Sequence, residues 1–276
     1  MKKAILLQPG KLGDLIISTP IAHYYYNLGY EIEWLIFDNF KSFFSSIPNI
    51  KIKTFNSLLN NNYYTNKRLN FTDASSNSAS LCFFKEAYEY IKNNKEAKIL
   101  DICWGFPGTS TSNNNLRFLF YKQKRNWIDM RYHLAEVPLK ERWNFKWNRN
   151  LEKENKLLKF IKEFSKKKYG SEKFSIIHNY VDNPRSIQMK NPINLSYIKD
   201  YELYDWYLVL LEAEEIACVD SSLCNFVEVL PELKEKKKYY LGTEEPHYSE
   251  YMRNILLNNW YDSNNNLILS DYQGIL

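Results

Sequence analysis

At 276 residues, 45% of them hydrophobic, the chain can hold one large domain or two small ones around a sizeable core. No apolar run approaches the roughly 20 residues that a membrane span requires, and Met1-Lys2-Lys3 enter a strand too soon for a signal peptide, so a soluble, cytoplasmic protein is expected. A net charge of +5, from 37 basic and 32 acidic residues, is mild: it suits a phosphorylated ligand or peripheral contact with an anionic membrane surface, while most charges simply solvate the exterior.

The first element is the most informative. Ala4 to Leu7 suits a buried parallel strand, Pro9 and Gly10 end it, and Leu15 to Ala22 with Tyr25 supply a helical face. Asp14 falls in the first turn of that helix. Glycines at 10 and 13 let backbone amides come close to a ligand, and a helix start favours negative charge. The spacing fits neither a Walker loop, which needs Gly-Lys-Ser/Thr, nor the three-glycine dinucleotide fingerprint. Read from the residues alone, Asp14 either belongs to a ligand site with Gly10, Lys11 and Gly13 or merely caps its helix.

Strand signals follow at Glu31 to Phe37, Ile50 to Phe55 and Ile99 to Cys103, with a helix from about Phe83 to Asn93 before the last. The alternation argues for a parallel sheet covered by helices. Asn56 to Ser80 reads as a long polar loop, and Gly105 to Asn115 opens where such sheets tend to bind ligands. The basic runs Lys122 to Arg125 and Lys234 to Lys238 read as solvated helix ends or loops. Leu151 to Lys168 is an amphipathic, Lys-rich helix, and Phe174 to His178 looks like the first strand of a second sheet, which sets a boundary near residue 150. His178 and Asn179, at the end of that strand, are either ligand contacts or a structural polar pair. A short strand is expected at Tyr197-Ile198, a helix over Leu203 to Glu212, and another short strand at Leu267 to Leu269. Cys82, Cys103, Cys218 and Cys224 lack metal-ligand spacing and read as reduced core thiols.

Glu214 to Leu230 repeats the opening grammar of short strand, small polar turn and helix. With both turns in view, the chain resembles the two-domain GT-B glycosyltransferases, and within them the heptosyltransferase-like family 9. The residues that carry the resemblance are Ile5 to Leu7, Leu12-Gly13-Asp14, Ser18-Thr19-Pro20, the strand Ile32 to Ile36, and the late turn Asp220-Ser221-Ser222-Leu223-Cys224-Asn225. They lie at both ends of the expected fold. The late turn sits where the family carries Asp-Ser/Thr-Gly-Leu-x-His, so Ser222 stands for a glycine and Asn225 for a histidine. The family's Lys or Arg before that helix has approximate counterparts in Arg185 and Lys190.

The resemblance implies an α/β fold with two Rossmann-like domains facing a cleft, an acceptor-side domain over residues 1–150 and a reduced donor domain over 151–276. It implies transfer of a sugar from a nucleotide-sugar donor to a glycan or lipid-linked acceptor, inverting and without a metal or other cofactor. Asp14 is then the general base. The donor would be held by His178, Asn179, Arg185, Lys190, Asp220, Ser221, Ser222, Leu223, Cys224, Asn225 and Glu228, the last either on the nucleotide ribose or a surface charge. Two alternatives stay open: a catalytically silent relative that binds a nucleotide or sugar as an interaction module, and a phosphorylase or epimerase of similar build. Aromatic residues at 16% could stack on bases, but no nucleic-acid signature accompanies them.

Overall fold

The computed structural model describes residues 2–55, 86–87, 89–102, 127–179, 184–195, 198–242, 256 and 258–268. The loops expected at Asn56 to Ser80 and Gly105 to Asn115, the basic run Lys122 to Arg125, and Cys82, Cys103, Tyr197 and Leu269 lie outside them. The chain divides into two units, Met1–Trp147 and Asn148–Leu276. Each contains a parallel sheet, so the molecule is mixed α/β. Among the described residues no helix is long and apolar enough to cross a membrane.

In the first unit, strands β1 (Lys2–Leu7), β2 (Tyr30–Phe37), β3 (Ile50–Phe55) and β4 (Lys98–Asp101) pair in the order β3-β2-β1-β4, all parallel. Ala4 to Leu7 are fully buried, as expected of a strand covered on both faces. Ile5 and Leu7 join Leu35, Phe37, Phe55 and Ala87 in one cluster, on which Tyr90 and Ile91 of the helical residues 89–92 pack. On alternate positions of β2, Trp34 is fully buried and meets Phe44 edge to face at 5.0 Å.

Helix α1 (Leu12–Asn27) is buried from Leu15 through His23, nearly all round. A helix apolar on every side lies inside a core rather than on it. Pro20 lacks the N–H that would close the turn to Ile16, and Thr19 Oγ1 donates to Leu15 O at 2.8 Å. Helix α2 (Trp127–Leu134), which the sequence pattern did not reveal, is fastened to α1 at two points. Tyr132 Oη donates to Ile17 O at 2.9 Å, and Tyr25 Oη donates to Ala135 O, just past α2, at 2.7 Å.

His23 is 5% exposed, and burial pushes its imidazole down from 6.5 to about 4. The folded state therefore holds His23 neutral where the unfolded chain protonates it. Stability contributed by this group is complete above pH 6.5 and declines on acidification to pH 4, by about 3 kcal/mol in total. His23→Gln should flatten that part of a chemical-denaturation profile. An unchanged slope between pH 6.5 and 4 would show that the imidazole is not kept neutral.

In the second unit, helix α3 (Leu151–Tyr169) starts at Asn150, whose side chain accepts from Lys153 N at 3.1 Å, and stops at Gly170, where φ is 72°. Glutamates in its first turn and lysines in its last complement the helix dipole. Strands β5 (Ser175–His178), β6 (Pro192–Asn194), β7 (Glu215–Cys218), β8 (Lys237–Tyr240) and β9 (Trp260–Tyr261) form a parallel sheet in the order β6-β5-β7-β8-β9. Helix α4 (Tyr207–Glu212), entered through a 3-10 turn at Leu203–Trp206, precedes β7, and helix α5 (Ser222–Val229) follows it.

Of the two short strands expected at Tyr197-Ile198 and Leu267 to Leu269, only Ile198, Leu267 and Ile268 are described: Ile198 is in no strand, and Leu267 forms an antiparallel bridge to Tyr261. Strand β5 pairs with β6, Pro192–Asn194, which the sequence pattern did not reveal. The run Lys234 to Lys238 is a solvated loop only in part: Lys234, Glu235 and Lys237 are exposed, but the run leads into β8 and Lys238 is buried. Lys236 Nζ donates to Leu211 O and Ala213 O, while Lys238 Nζ, fully buried, donates to the carbonyls of Leu233, Lys234 and Lys236. Burial lowers the Lys238 ammonium to about 8, partly offset by the Glu228 carboxylate.

Candidate functional site

Open parallel sheets bind ligands beyond the carboxyl ends of their strands, where neighbouring strands send the chain in opposite directions. In the first unit that point lies between β1 and β4, whose ends pair Leu7 with Asp101. The loop leaving β1 is pinned there by three bonds. Trp34 Nε1 donates to Gln8 O at 2.9 Å, Phe37 N to Pro9 O at 2.7 Å, and Gln8 Nε2 to Gly10 O at 2.9 Å.

Gly10 has a different task from the one expected. A Cβ there would lie 2.9 Å from Phe40 Cδ2 and closer still to Cε2, so the missing side chain makes room for an aromatic ring rather than a ligand. Lys11 is exposed and holds φ 64° and ψ 118°, a costly conformation for a residue with a Cβ, and its carbonyl accepts from Leu15 N at 3.1 Å. The Lys11 side chain does not cap α1, so among the described residues the first-turn amides, those of Leu12 and Gly13 among them, have no side-chain cap beside Asp14.

Asp14 is held on both oxygens. Its Oδ2 accepts from Gln8 Nε2 at 3.3 Å and its Oδ1 lies 3.3 Å from Arg131 Nη2 of α2. Gln8 is 3% exposed, and the side chains of Arg131 and Asp14 are 8% and 20% exposed. A partly exposed carboxylate therefore rests on a buried amide and a buried guanidinium, which fix its direction while part of it faces solvent. Neither partner was read from the sequence. Gln8 follows the expected strand at Leu7 with nothing local to mark it, and nothing in the sequence ties Arg131 to Asp14.

In the second unit the corresponding point lies between β5 and β7, where His178 pairs with Cys218. Val219 N donates to His178 O at 2.9 Å, and Asp220 N donates to Gly242 O at 2.9 Å, so the turn into α5 is anchored on both sides. Ser221 caps α5: its Oγ accepts from Cys224 N at 3.4 Å and donates to Val219 O at 3.0 Å. Asp220, Ser221, Ser222, Asn225, His178 and Arg185 are all half-buried around this end of the sheet. Burial lowers the His178 imidazole below its ordinary value.

The remaining candidates divide by position. Asn179 clasps Arg185 through two bonds of 2.8 Å, its Nδ2 donating to Arg185 O and its Oδ1 accepting from Arg185 N, which fits the structural alternative and keeps Arg185 near the end of β5. Lys190 is exposed and precedes β6, whose first residue pairs with the first residue of β5. It therefore sits at the amino edge, about 10 Å along the strands from the turn. The side chains of Leu223 and Cys224 are in the core, leaving only their main chain to the turn. Glu228 is 1% exposed, so it is no surface charge, and its Oε2 accepts from Trp260 Nε1 at 2.7 Å. Among the described residues, no group of three His, Cys, Asp or Glu could hold a metal ion.

Among the solved structures similar to this chain are two glycosyltransferases. One, a family 9 glycosyltransferase from Veillonella parvula, is 11% identical over 87% of this chain and 80% of its own, with a TM-score of 0.46. The E. coli heptosyltransferase WaaC, solved with ADP, is 10% identical over 87% of this chain and 89% of its own, with a TM-score of 0.39. The same enzyme with ADP-2-deoxy-2-fluoro heptose covers 88% of its own length at the same TM-score of 0.39. No family model and no curated protein matches the chain.

Proposed function

We propose that the protein is an inverting glycosyltransferase that moves a sugar from a nucleotide-sugar donor to a glycan or lipid-linked acceptor. The observation that carries this reading is Asp14, held by Gln8 and Arg131 at the carboxyl edge of the first sheet and beside a helix start that the Lys11 side chain does not cap. A carboxylate so oriented can take the proton of an acceptor hydroxyl as that oxygen forms its bond to the anomeric carbon. The bond from that carbon to the diphosphate breaks on the opposite face, and its electron pair leaves with the phosphate. In the second unit, the start of α5 supplies oriented amides from Ser222 and Leu223 to offset the charge on the departing diphosphate, and Arg185 adds a cation near the end of β5.

One observation favours the catalytically silent alternative. Ser221 Oγ already occupies the Cys224 amide, and Asn225 brings no positive charge to the turn. The experiment that separates the two readings compares Asp14→Asn with the parent chain. In a transferase the substitution removes transfer and leaves donor binding; in a silent relative the parent binds a nucleotide and turns nothing over.

A further inference from the structure

Helix α3 buries Glu154, Leu157, Ile161 and Ser165 and leaves Phe160 and Phe164 outside, 53% and 42% exposed. Single exposed apolar residues are ordinary on a protein surface. These two are one turn apart on the same flank, and with 3.6 residues per turn that flank also carries Lys153, Lys156 and Lys167, while Lys168 continues the line of Leu157 and Ile161 to the exposed end of the helix. The helix as a whole has seven lysines against three glutamates, one of them the buried Glu154 that pairs with Arg149.

The acids that bear on this strip are few. Glu152 pairs with Lys156 at 2.5 Å, Asp205 lies 3.9 Å from Lys153, and Glu163 lies 3.9 Å from Lys159 on the neighbouring flank. Among the described residues Lys167 and Lys168 have no acidic partner. The Lys168 ammonium instead stands 5.8 Å over the Phe164 ring and 4.9 Å over that of Tyr169.

We infer that this flank of α3 docks on an anionic lipid surface, with the two phenyl rings entering the boundary beneath the headgroups and the lysines meeting the lipid charges. The strip from Lys153 to Lys168 runs about 22 Å along a single straight element, a length that lies flat on a bilayer. Charge complementarity selects the partner. A second copy would bring lysine against lysine, whereas a leaflet rich in acidic headgroups neutralises them and takes up the rings.

Co-sedimentation of the full chain with vesicles tests the inference. At low salt the protein should pellet with equal parts phosphatidylglycerol and phosphatidylcholine and stay in solution with phosphatidylcholine alone. Phe160→Ser with Phe164→Ser should weaken partition about tenfold, and Lys167→Gln or Lys168→Gln about fivefold each. The unfolding midpoints of these variants should match the parent, since all four positions are exposed. Equal pelleting of the double-Phe variant and the parent would overturn the inference. So would retention of a single-stranded oligonucleotide without any pelleting of vesicles. The outcome is independent of transfer activity, so it stands or falls apart from the role of Asp14.

Discussion

Asp14→Asn should lower the rate of sugar transfer by about a thousandfold, within the range of 10²–10⁴ over which positioned general bases act. Asparagine has the shape of aspartate and keeps one oxygen to accept from Gln8 or to face Arg131, so the loop geometry survives. What it loses is the capacity to take a proton. The donor contacts proposed at the start of α5 are on other residues, and the dissociation constant for the nucleoside diphosphate should stay within about threefold. Some stability is lost as well, about 1–3 kcal/mol, because the nearly buried Arg131 loses the charge of one carboxylate beside it. Rates are therefore to be compared well below the unfolding midpoint of the variant. Transfer within tenfold of the parent would remove Asp14 as the base.

Trp260→Ala should destabilise the second unit by about 3–5 kcal/mol, the cost of a large cavity in a closed core. Trp260 is fully buried, and its indole N–H is the donor to Glu228 Oε2; Asn258 Nδ2 donates to the carbonyl of the same residue at 2.9 Å. Removing the ring leaves a buried carboxylate short of a donor and takes away the ring over which Lys238 stands at 6.0 Å. With two units in the chain, unfolding need not follow one transition, so the effect should appear as an early step with the first unit still folded. Glu228→Gln provides the contrast. The amide oxygen still accepts from Trp260, so donor affinity should hold within about threefold, whereas loss of a direct ribose contact would cost about tenfold or more. A large drop in affinity with an unchanged midpoint would return Glu228 to the binding site.

The parts of the fold legible in the sequence are those whose signals are local. The strand at Lys2–Leu7 is a continuous apolar run closed by Pro9 and Gly10, and the helix at Leu151–Tyr169 has its cap, its period and its glycine stop within one stretch. Strand β8 was hidden because its first two residues are lysines, and only the carbonyls around Lys238 explain how a cation enters a core. The turn before α5 was read as a run of contiguous contacts, yet a helix sends Leu223 and Cys224 inward while Ser222 and Asn225 remain at the edge. Gly10 was legible as a position that needs glycine, but the reason, the ring of Phe40, comes from packing that spacing does not encode. The place of Asp14 in the first turn of α1 could be read in advance, whereas its support could not. Arg131 reaches it from a helix far along the chain, and a single sequence carries no trace of which distant cation meets which carboxylate.

A nucleotide-sugar site in this chain would show in a thermal-shift screen of the full chain against ADP, UDP, GDP, CDP and their sugar conjugates. A ligand at a hundred times its dissociation constant stabilises the native state by about 2.7 kcal/mol. A clear rise in midpoint is expected with one diphosphate and its conjugates, retained in Asp14→Asn. A midpoint unmoved by all of them at millimolar concentration would contradict it.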